Sequence, residues 1–337
     1  MPTESTAPPS SATRTTPSGA DRLGSLTYQA RTLAGQNGAL VALLLLGVVM
    51  ALMSPVFLST QNLLNVGVQA AVVAILAFGQ TFVIISGGID LSVGSVAALT
   101  GIVTGFMAGT YGVNPVLAIV LGIGAGLACG LVNGVLVAYG RLPAFIATLA
   151  MLSVARGLAL VLSDGVPVPQ SSAVAWFGST VWGWLPIPVV IMVALGALAA
   201  FILNRTYTGR AIYAIGGNEE AARLSGINVR RQKLVIYGLA SSFAAVAGLV
   251  LAGRLASGQP QAAAGYELDA IAAVVIGGAS LAGGQGRAFG TLVGALVLAV
   301  IRNGLNLLNV SSFWQQVVIG AVIALAVLSD TLRRRRS

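Results

Sequence analysis

Between residues 38 and 203 the chain carries only four charged side chains, Asp90, Arg141, Arg156 and Asp164. A stretch so poor in charge cannot cover itself with a water-facing surface. Over all 337 residues the charged share is 8% and the hydrophobic share 56%, whereas soluble domains carry about 25% charged residues. The expected fold class is therefore all-α integral membrane, with backbone polar groups satisfied inside apolar helices. There is no histidine, which excludes histidine metal sites, Ser-His triads and histidine proton relays. The one cysteine, Cys129, lies in an apolar run, which excludes an intramolecular disulfide or a cysteine zinc site. The net charge of +9 does not point to nucleic acid, because apolar spans leave no room for a basic binding domain.

The basic residues gather in the N-terminal segment, in the stretch 205–233 and in the tail 333–336, as the positive-inside rule produces. A helix needs about 20 apolar residues to cross a bilayer. The candidates are 39–57, 63–86, 91–110, 115–138, 143–163, 186–203, 233–253, 268–282, 288–304 and 313–331. About ten spans put both termini on one side, and the arginine tail makes that side cytoplasmic. The loops agree. Residues 205–231, with Arg205, Arg210, Arg223, Arg230 and Arg231, fall inside, while 163–185 and 257–267, without a basic residue, fall outside. Residues 1–37, rich in Ser, Thr, Pro and Gly, are expected to be a disordered cytoplasmic tail. The run 39–57 is expected to be a retained first helix rather than a signal peptide. The membrane body then covers 38–332, with a cytoplasmic loop at 204–232 and a basic cytoplasmic tail at 333–337.

Gly122, Gly126, Gly130 and Gly134 recur every four residues, as do Gly101, Gly105 and Gly109, and Gly286, Gly290 and Gly294. On a helix each set forms one face without side chains, which lets backbones approach closely. The stretch Ser86-Gly87-Gly88-Ile89-Asp90-Leu91-Ser92 is a break of another kind. Asp90 is placed to cap a helix starting near Leu91, and an acid at membrane depth is costly and often functional. A second glycine-rich break runs from Gly277 to Gly286. The segments 83–91 (VIISGGIDL) and 273–281 (AVVIGGASL) share an apolar run, a Gly-Gly pair and a Leu three residues on. They are signs of pseudo-repeated halves, and paired broken helices point to a transporter site. No nucleotide-binding motif occurs, so ATP-driven transport would need another chain to bind ATP.

In the loop 204–232, Asn218 suits an N-cap, Glu219 and Glu220 suit a first helical turn, and Gly226 suits a stop. The resulting helix, at 218–226, is too short to be stable alone in water. It rests on its own bundle or docks a partner. The pattern Glu220-Ala221-Ala222, then Gly226 four residues on, resembles the coupling-helix motif of ABC importer permeases. The stretch GGIDLSVGS at 87–95 resembles the signature of the ribose/xylose/galactoside branch of those permeases. Similar too are GRLPAFIATLAM at 140–151, the run 209–229 and the run 303–323. The resemblance spans about residues 40–332.

It implies a permease in the bacterial plasma (inner) membrane that binds no cofactor itself, while cytoplasmic ABC ATPase subunits bind ATP and Mg²⁺. It also implies a second permease copy, identical or closely related, and an extracytoplasmic solute-binding protein. Asn218, Glu219, Glu220, Ala221, Ala222, Arg223 and Gly226 would couple to the ATPase. The expected function is a monosaccharide path worked by alternating access. The alternatives are another small solute, such as a branched-chain amino acid or nucleoside, or an ion-coupled transporter. The latter is disfavoured by Asp90 being the one acid in the firm spans.

Gly87, Gly88, Asp90 and Ser92 are candidate gating residues. The uncharged polar residues within spans are expected to converge on a path: Gln69, Gln80, Thr81, Ser86, Asn133, Thr148, Ser153, Ser241, Ser242, Asn303 and Asn306. Gln80, Asn133 and Asn303 lead this set, because their amides are hard to satisfy locally. The competing expectation is local bonding within the helix bundle. Arg156 and Arg302 are expected to snorkel outward.

Overall fold

The computed structural model describes residues 38–334, and the expected tail at 1–37 lies outside the described residues. The helices, in chain order, are α1 Gly38–Met53, α2 Thr60–Ile85, α3 Val93–Gly109, α4 Pro115–Ala138, α5 Ala144–Ser163, α6 Ser172–Ala175, α7 Ile187–Arg205, α8 Tyr207–Gly217, α9 Glu219–Leu224, α10 Val229–Leu255, α11 Tyr266–Ile276, α12 Ala288–Leu307 and α13 Ser312–Arg334. Four two-residue strands accompany them: β1 Val168–Pro169, β2 Thr180–Val181, β3 Leu185–Pro186 and β4 Ser257–Gly258.

Six helices, α2, α4, α5, α7, α10 and α12, are long and apolar enough to cross a membrane, and α1, α3 and residues 312–328 of α13 are shorter apolar helices. The expected span 268–282 is instead the eleven-residue α11, followed by a non-helical glycine-rich loop. The span expected over 39–57 ends at Met53, because Pro55 lacks an N–H and disfavours helix in the residue before it. Ser59 then caps α2, its Oγ accepting from Asn62 N at 3.3 Å. At the other end of the chain, α13 continues to Arg334, two residues into the stretch expected as tail.

From Ala70 to Gly79 α2 is apolar on every side, and a stretch with no polar face belongs inside a bundle. It is the central helix: 89% of its apolar window is buried, and α7, α10, α11 and α12 pack around it. Lipid tails are as apolar as leucine, so close packing rather than escape from water holds this bundle together. Phe82 meets Phe243 edge-to-face at 5.6 Å.

The glycine face of α4 is where α10 and α3 come closest. A Cβ at Gly130 would lie 2.4 Å from Tyr237 O, and one at Gly134 would lie 2.8 Å from Leu234 Cα. Of the set at 286, 290 and 294, only Gly290 and Gly294 are on α12, where they meet the backbone of Gly277, just past α11, and of Ala273 on α11. Gly286 lies in the loop before the helix.

Hydrogen bonding sorts the loops into two faces. β1 pairs antiparallel with β4, Val168 opposite Gly258 and Pro169 opposite Ser257. The loops 163–185 and 257–267, both free of basic residues, therefore share one face. Arg156 reinforces this face by donating from Nη1 to Pro260 O at 2.5 Å and Ala262 O at 2.9 Å. This anchors a loop rather than snorkelling free. At the opposite face lie α8, α9, the start of α10 and both glycine-rich breaks.

Candidate functional site

Both breaks are built by the same helix ending. After α2, Gly87 N donates to Ile84 O at 2.9 Å and Gly88 N to Val83 O at 2.9 Å, with Gly87 at φ +83°. After α11, Gly278 N donates to Val275 O at 2.9 Å and Ala279 N to Val274 O at 3.1 Å, with Gly278 at φ +90°. This is the Schellman ending, which needs a left-handed residue just past the helix and so favours glycine. The structural register therefore matches Gly87 with Gly278. Aligning the two Gly-Gly pairs in sequence matches Gly87 with Gly277 and is one residue out.

Asp90 is fully buried but is not the cap of α3, which begins at Val93 after Ser92. Its Oδ1 instead accepts from Ser92 N at 2.8 Å and Ser92 Oγ at 2.6 Å, closing a turn within the break. The Ser92 hydroxyl is thereby held and accepts from Asn133 Nδ2 at 3.0 Å. With its nitrogen facing Asp90 O, the Gln80 amide donates to that oxygen at 3.1 Å and accepts from Asp90 N at 3.1 Å. Thr148 Oγ1 donates to Ile89 O at 3.1 Å. Non-helical backbone inside a membrane must find such partners. Gln80 on α2 and Thr148 on α5 supply them, so both are bound to the break itself. Asp90 Oδ2, Asn133 Oδ1 and Ser241 Oγ remain buried without a hydrogen-bond partner. Gly88 leaves room for Tyr237, whose Oη would lie 2.7 Å from a Cβ there.

The two breaks meet. Gly284 N donates to Ile85 O at 2.8 Å. α8 seats on this seam: a Cβ at Gly216 would fall 1.7 Å from Ile85 O and 2.5 Å from Gly284 N. Tyr213 Oη, one turn earlier, donates to Gly286 O at 2.8 Å. α9 follows directly. Asn218 caps it, Oδ1 accepting from Ala221 N at 2.9 Å, and Gly226 takes φ +86° beyond it. The helix covers 219–224, a shorter stretch than the expected 218–226. Ala222 packs with Ile215 and Val229 beneath, whereas Leu224 is 76% exposed. Glu219 accepts from Lys233 Nζ at 2.8 Å on α10. Arg223 Nε donates to Glu220 Oε2 at 3.0 Å, and this bond holds the Glu220 carboxyl below its usual range.

The remaining candidates separate from this cluster. Asn303 lies elsewhere on the bundle and exchanges amide bonds with Asn62, at 3.0 Å and 2.8 Å. Ser86, Ser153 and Ser242 bond backbone carbonyls three or four residues back, and Thr81 Oγ1, besides its bond to Ala77 O, meets Thr291 Oγ1 of α12 at 2.8 Å. Gln69 and Asn306 line a separate cavity with Arg302, and Arg302 pairs with Asp269 at 2.6 Å. Arg302 is thus paired rather than snorkelling. Asp269 is a second buried acid, 4% exposed on α11, which the sequence reading left outside the firm spans. Asn62, Tyr237 and Arg254 were likewise not singled out. Asn62 alone had a usable signal, as an amide near the start of a long apolar span.

The Asn62–Asn303 pair yields one prediction. Asn303→Leu is expected to destabilise the purified protein by about 1–3 kcal/mol, since it leaves a buried amide short of a partner. Asn62→Leu with Asn303→Leu is expected to cost less than the sum of the two single losses. Thermal unfolding of the four proteins measures this, and strict additivity would refute the pairing.

Residues 62–327 match the family described as "Branched-chain amino acid transport system / permease component". The ribose import permease protein RbsC of Escherichia coli K12 is 48% identical over 304 residues, 89% of this chain and 94% of the relative. That of Bacillus subtilis strain 168 is 48% identical over 296 residues, 87% and 92% of the two chains. The xylose transport system permease protein XylH of E. coli K12 is 37% identical over 343 residues, 83% and 87%. No solved structure matches. With apolar helices long enough to span and a family match over most of its length, this multi-pass membrane chain belongs to the permease family of branched-chain amino acid transport systems.

Proposed function

We propose that the chain is the membrane-spanning subunit of an ATP-driven ABC importer for a monosaccharide. The observation that carries this reading is the near full-length similarity to ribose permeases at 48% identity. The chain supplies the path and no ATPase site of its own; ATP and Mg²⁺ belong to cytoplasmic partner subunits that press on α9. A second permease copy completes the path, and an extracytoplasmic binding protein delivers the sugar to the β1–β4 face. Both termini are cytoplasmic, in a bacterial plasma membrane. Closure of the ATPases moves α9 and α8, and α8 bears on both breaks at once. The Asp90 break and its supports Gln80, Ser92 and Asn133 then form the inner gate, with Gly87 and Gly88 as its hinge. Asn303 is assigned to helix packing instead. The second reading, a branched-chain amino acid as cargo, is favoured by the description of the family itself. Uptake of labelled ribose, xylose and leucine by the reconstituted transporter decides. Saturable sugar uptake that depends on ATP is expected, and uptake of leucine alone overturns the sugar assignment.

Docking at α9 is tested without straining the backbone. A bulky residue at Gly226 would mix two effects, because that position is left-handed. Leu224→Asp changes only an exposed apolar side chain. It is expected to reduce ATPase recovery with the permease by about tenfold, the loss of roughly 1.5 kcal/mol of buried leucine contact, at unchanged membrane insertion. Full recovery would place docking elsewhere. A cysteine at exposed Ser225 is expected to react with an impermeant reagent from the cytoplasmic side only. Labelling from outside would reverse the topology.

A further inference from the structure

Three ionisable side chains of this charge-poor chain, Arg254 on α10, Asp269 on α11 and Arg302 on α12, converge on one cavity of about 180 Å³. Gln69 and Val73 of α2, Tyr266 of α11 and Asn306 and Gln315 complete its working lining. The cavity sits at the end of α10 that leads into β4 and at the start of α11, on the face away from α9.

Much of the lining is held in place. Arg302 Nη2 donates to Asp269 Oδ2 at 2.6 Å, and the guanidinium lies 5.9 Å from the Tyr266 ring centre. Gln315 Nε2 donates to Asn306 Oδ1 at 2.7 Å. The side chains of Arg254 and Gln69 are not so held: neither makes a hydrogen bond or ion pair among the described residues. Arg254 is exposed and Gln69 half-buried, so both can be reached from the face where the cavity opens. Their donors and acceptors are on offer to something that enters.

The chemistry of the lining selects the visitor. A phosphate or carboxylate wants donors only, yet here a carboxylate and three side-chain amides put acceptors around the same space. An apolar ligand would strand all of them. A neutral, hydroxyl-rich molecule takes bonds of both kinds, and a site built to hydrogen-bond hydroxyls rejects analogues that lack them. The volume falls below the roughly 300–1,000 Å³ of pockets for drug-sized ligands. That suits a solute of pentose size, about ten heavy atoms.

We propose that this cavity is an outer transit site, where a monosaccharide released at the extracytoplasmic face is held briefly by Gln69, Arg254 and the Asp269–Arg302 pair. The proposal rests on the sugar-importer reading and adds a defined stop on the path. A transit site releases its cargo, so binding is weak, with Kd about millimolar.

The test uses the full chain in lipid nanodiscs, with ribose, xylose, leucine and inorganic phosphate as probes in saturation-transfer NMR. Ribose or xylose is expected to give a saturable signal. Gln69→Leu and Arg254→Met are each expected to weaken it about tenfold, the worth of one or two hydrogen bonds, with unfolding temperature unchanged. Neither variant breaks the Asp269–Arg302 pair, so the fold is not put at risk. No sugar signal in the wild type, or undiminished signal in both variants, overturns the site. Binding of phosphate or leucine in place of sugar overturns the assigned chemistry. Uptake by the complete transporter, run in parallel, separates the two levels. Sugar uptake without sugar binding here removes the transit site and leaves the importer reading standing, whereas absence of sugar uptake removes that reading itself.

Discussion

Gly216→Val is expected to abolish uptake while leaving the permease inserted in the membrane. The first added carbon would fall 1.7 Å from Ile85 O and 2.5 Å from Gly284 N. Both are backbone atoms, and they are the two partners of the bond that joins the breaks. No side chain is present to swing aside. Overpacking usually costs about 1–3 kcal/mol, and a clash with two fixed backbones belongs at or above the top of that range. The cheapest relief is for α8 to lift off the seam, because both clashing atoms belong to fixed backbone. The bundle itself, centred on buried α2, keeps its packing. What is lost is the connection from α9 to the gate. At 3 kcal/mol that amounts to roughly a hundredfold loss of uptake, measured on vesicles with matched permease content. ATP hydrolysis that continues without transport would show that docking survived. Wild-type uptake would refute the seam as the link.

The second large effect is at Asp90. Asp90→Leu is expected to stop transport, whereas Asp90→Asn is expected to retain more than about half of it. Oδ1 accepts two hydrogen bonds from Ser92, and an asparagine oxygen accepts both in the same geometry. A leucine accepts neither. It leaves the Ser92 N–H and O–H donors without an acceptor in a fully buried place, at about 1–3 kcal/mol for each, and the hydroxyl that accepts from Asn133 loses the bond that orients it. No cation pairs with Asp90 among the described residues, so the turn it closes is the property being protected. Equal loss of uptake in both variants, at normal protein levels, would show instead that the charge is used directly.

Parts of this architecture are readable one segment at a time. Asn218, Glu219, Glu220 and Gly226 identify α9 because caps, first-turn acids and left-handed stops act on the backbone within a few residues. Pro55, which ends α1, and the Gly87 and Gly278 helix endings act just as locally, although the expected span ran through Pro55 to residue 57 and the Gly-Gly alignment was one residue out. Asp90 marks a break for the same reason, although the sequence placed it one step wrong, as a cap rather than as the acceptor of Ser92. The start of α3 at Val93 decides that, and it depends on how α2, α4 and α5 hold the turn through Gln80, Asn133 and Thr148.

By itself the sequence determined that this chain lies in a membrane, which loops share a face, roughly where the apolar helices run, and that two breaks occur. Those properties follow from charge counts, apolar length and local backbone bonding. Only the tertiary structure decided that Gln80 serves Asp90, that Asn303 belongs with Asn62 rather than with Asn133, that Asp269 pairs with Arg302, and that both breaks meet under Gly216. The physical reason lies in the helices themselves. In water an apolar stripe says which face turns inward. A stretch such as Ala70 to Gly79 of α2, apolar on all sides and surrounded by helices or lipid of the same polarity, carries no such direction. Its contacts are set by which small residues let backbones close up and by which polar groups find each other once they have.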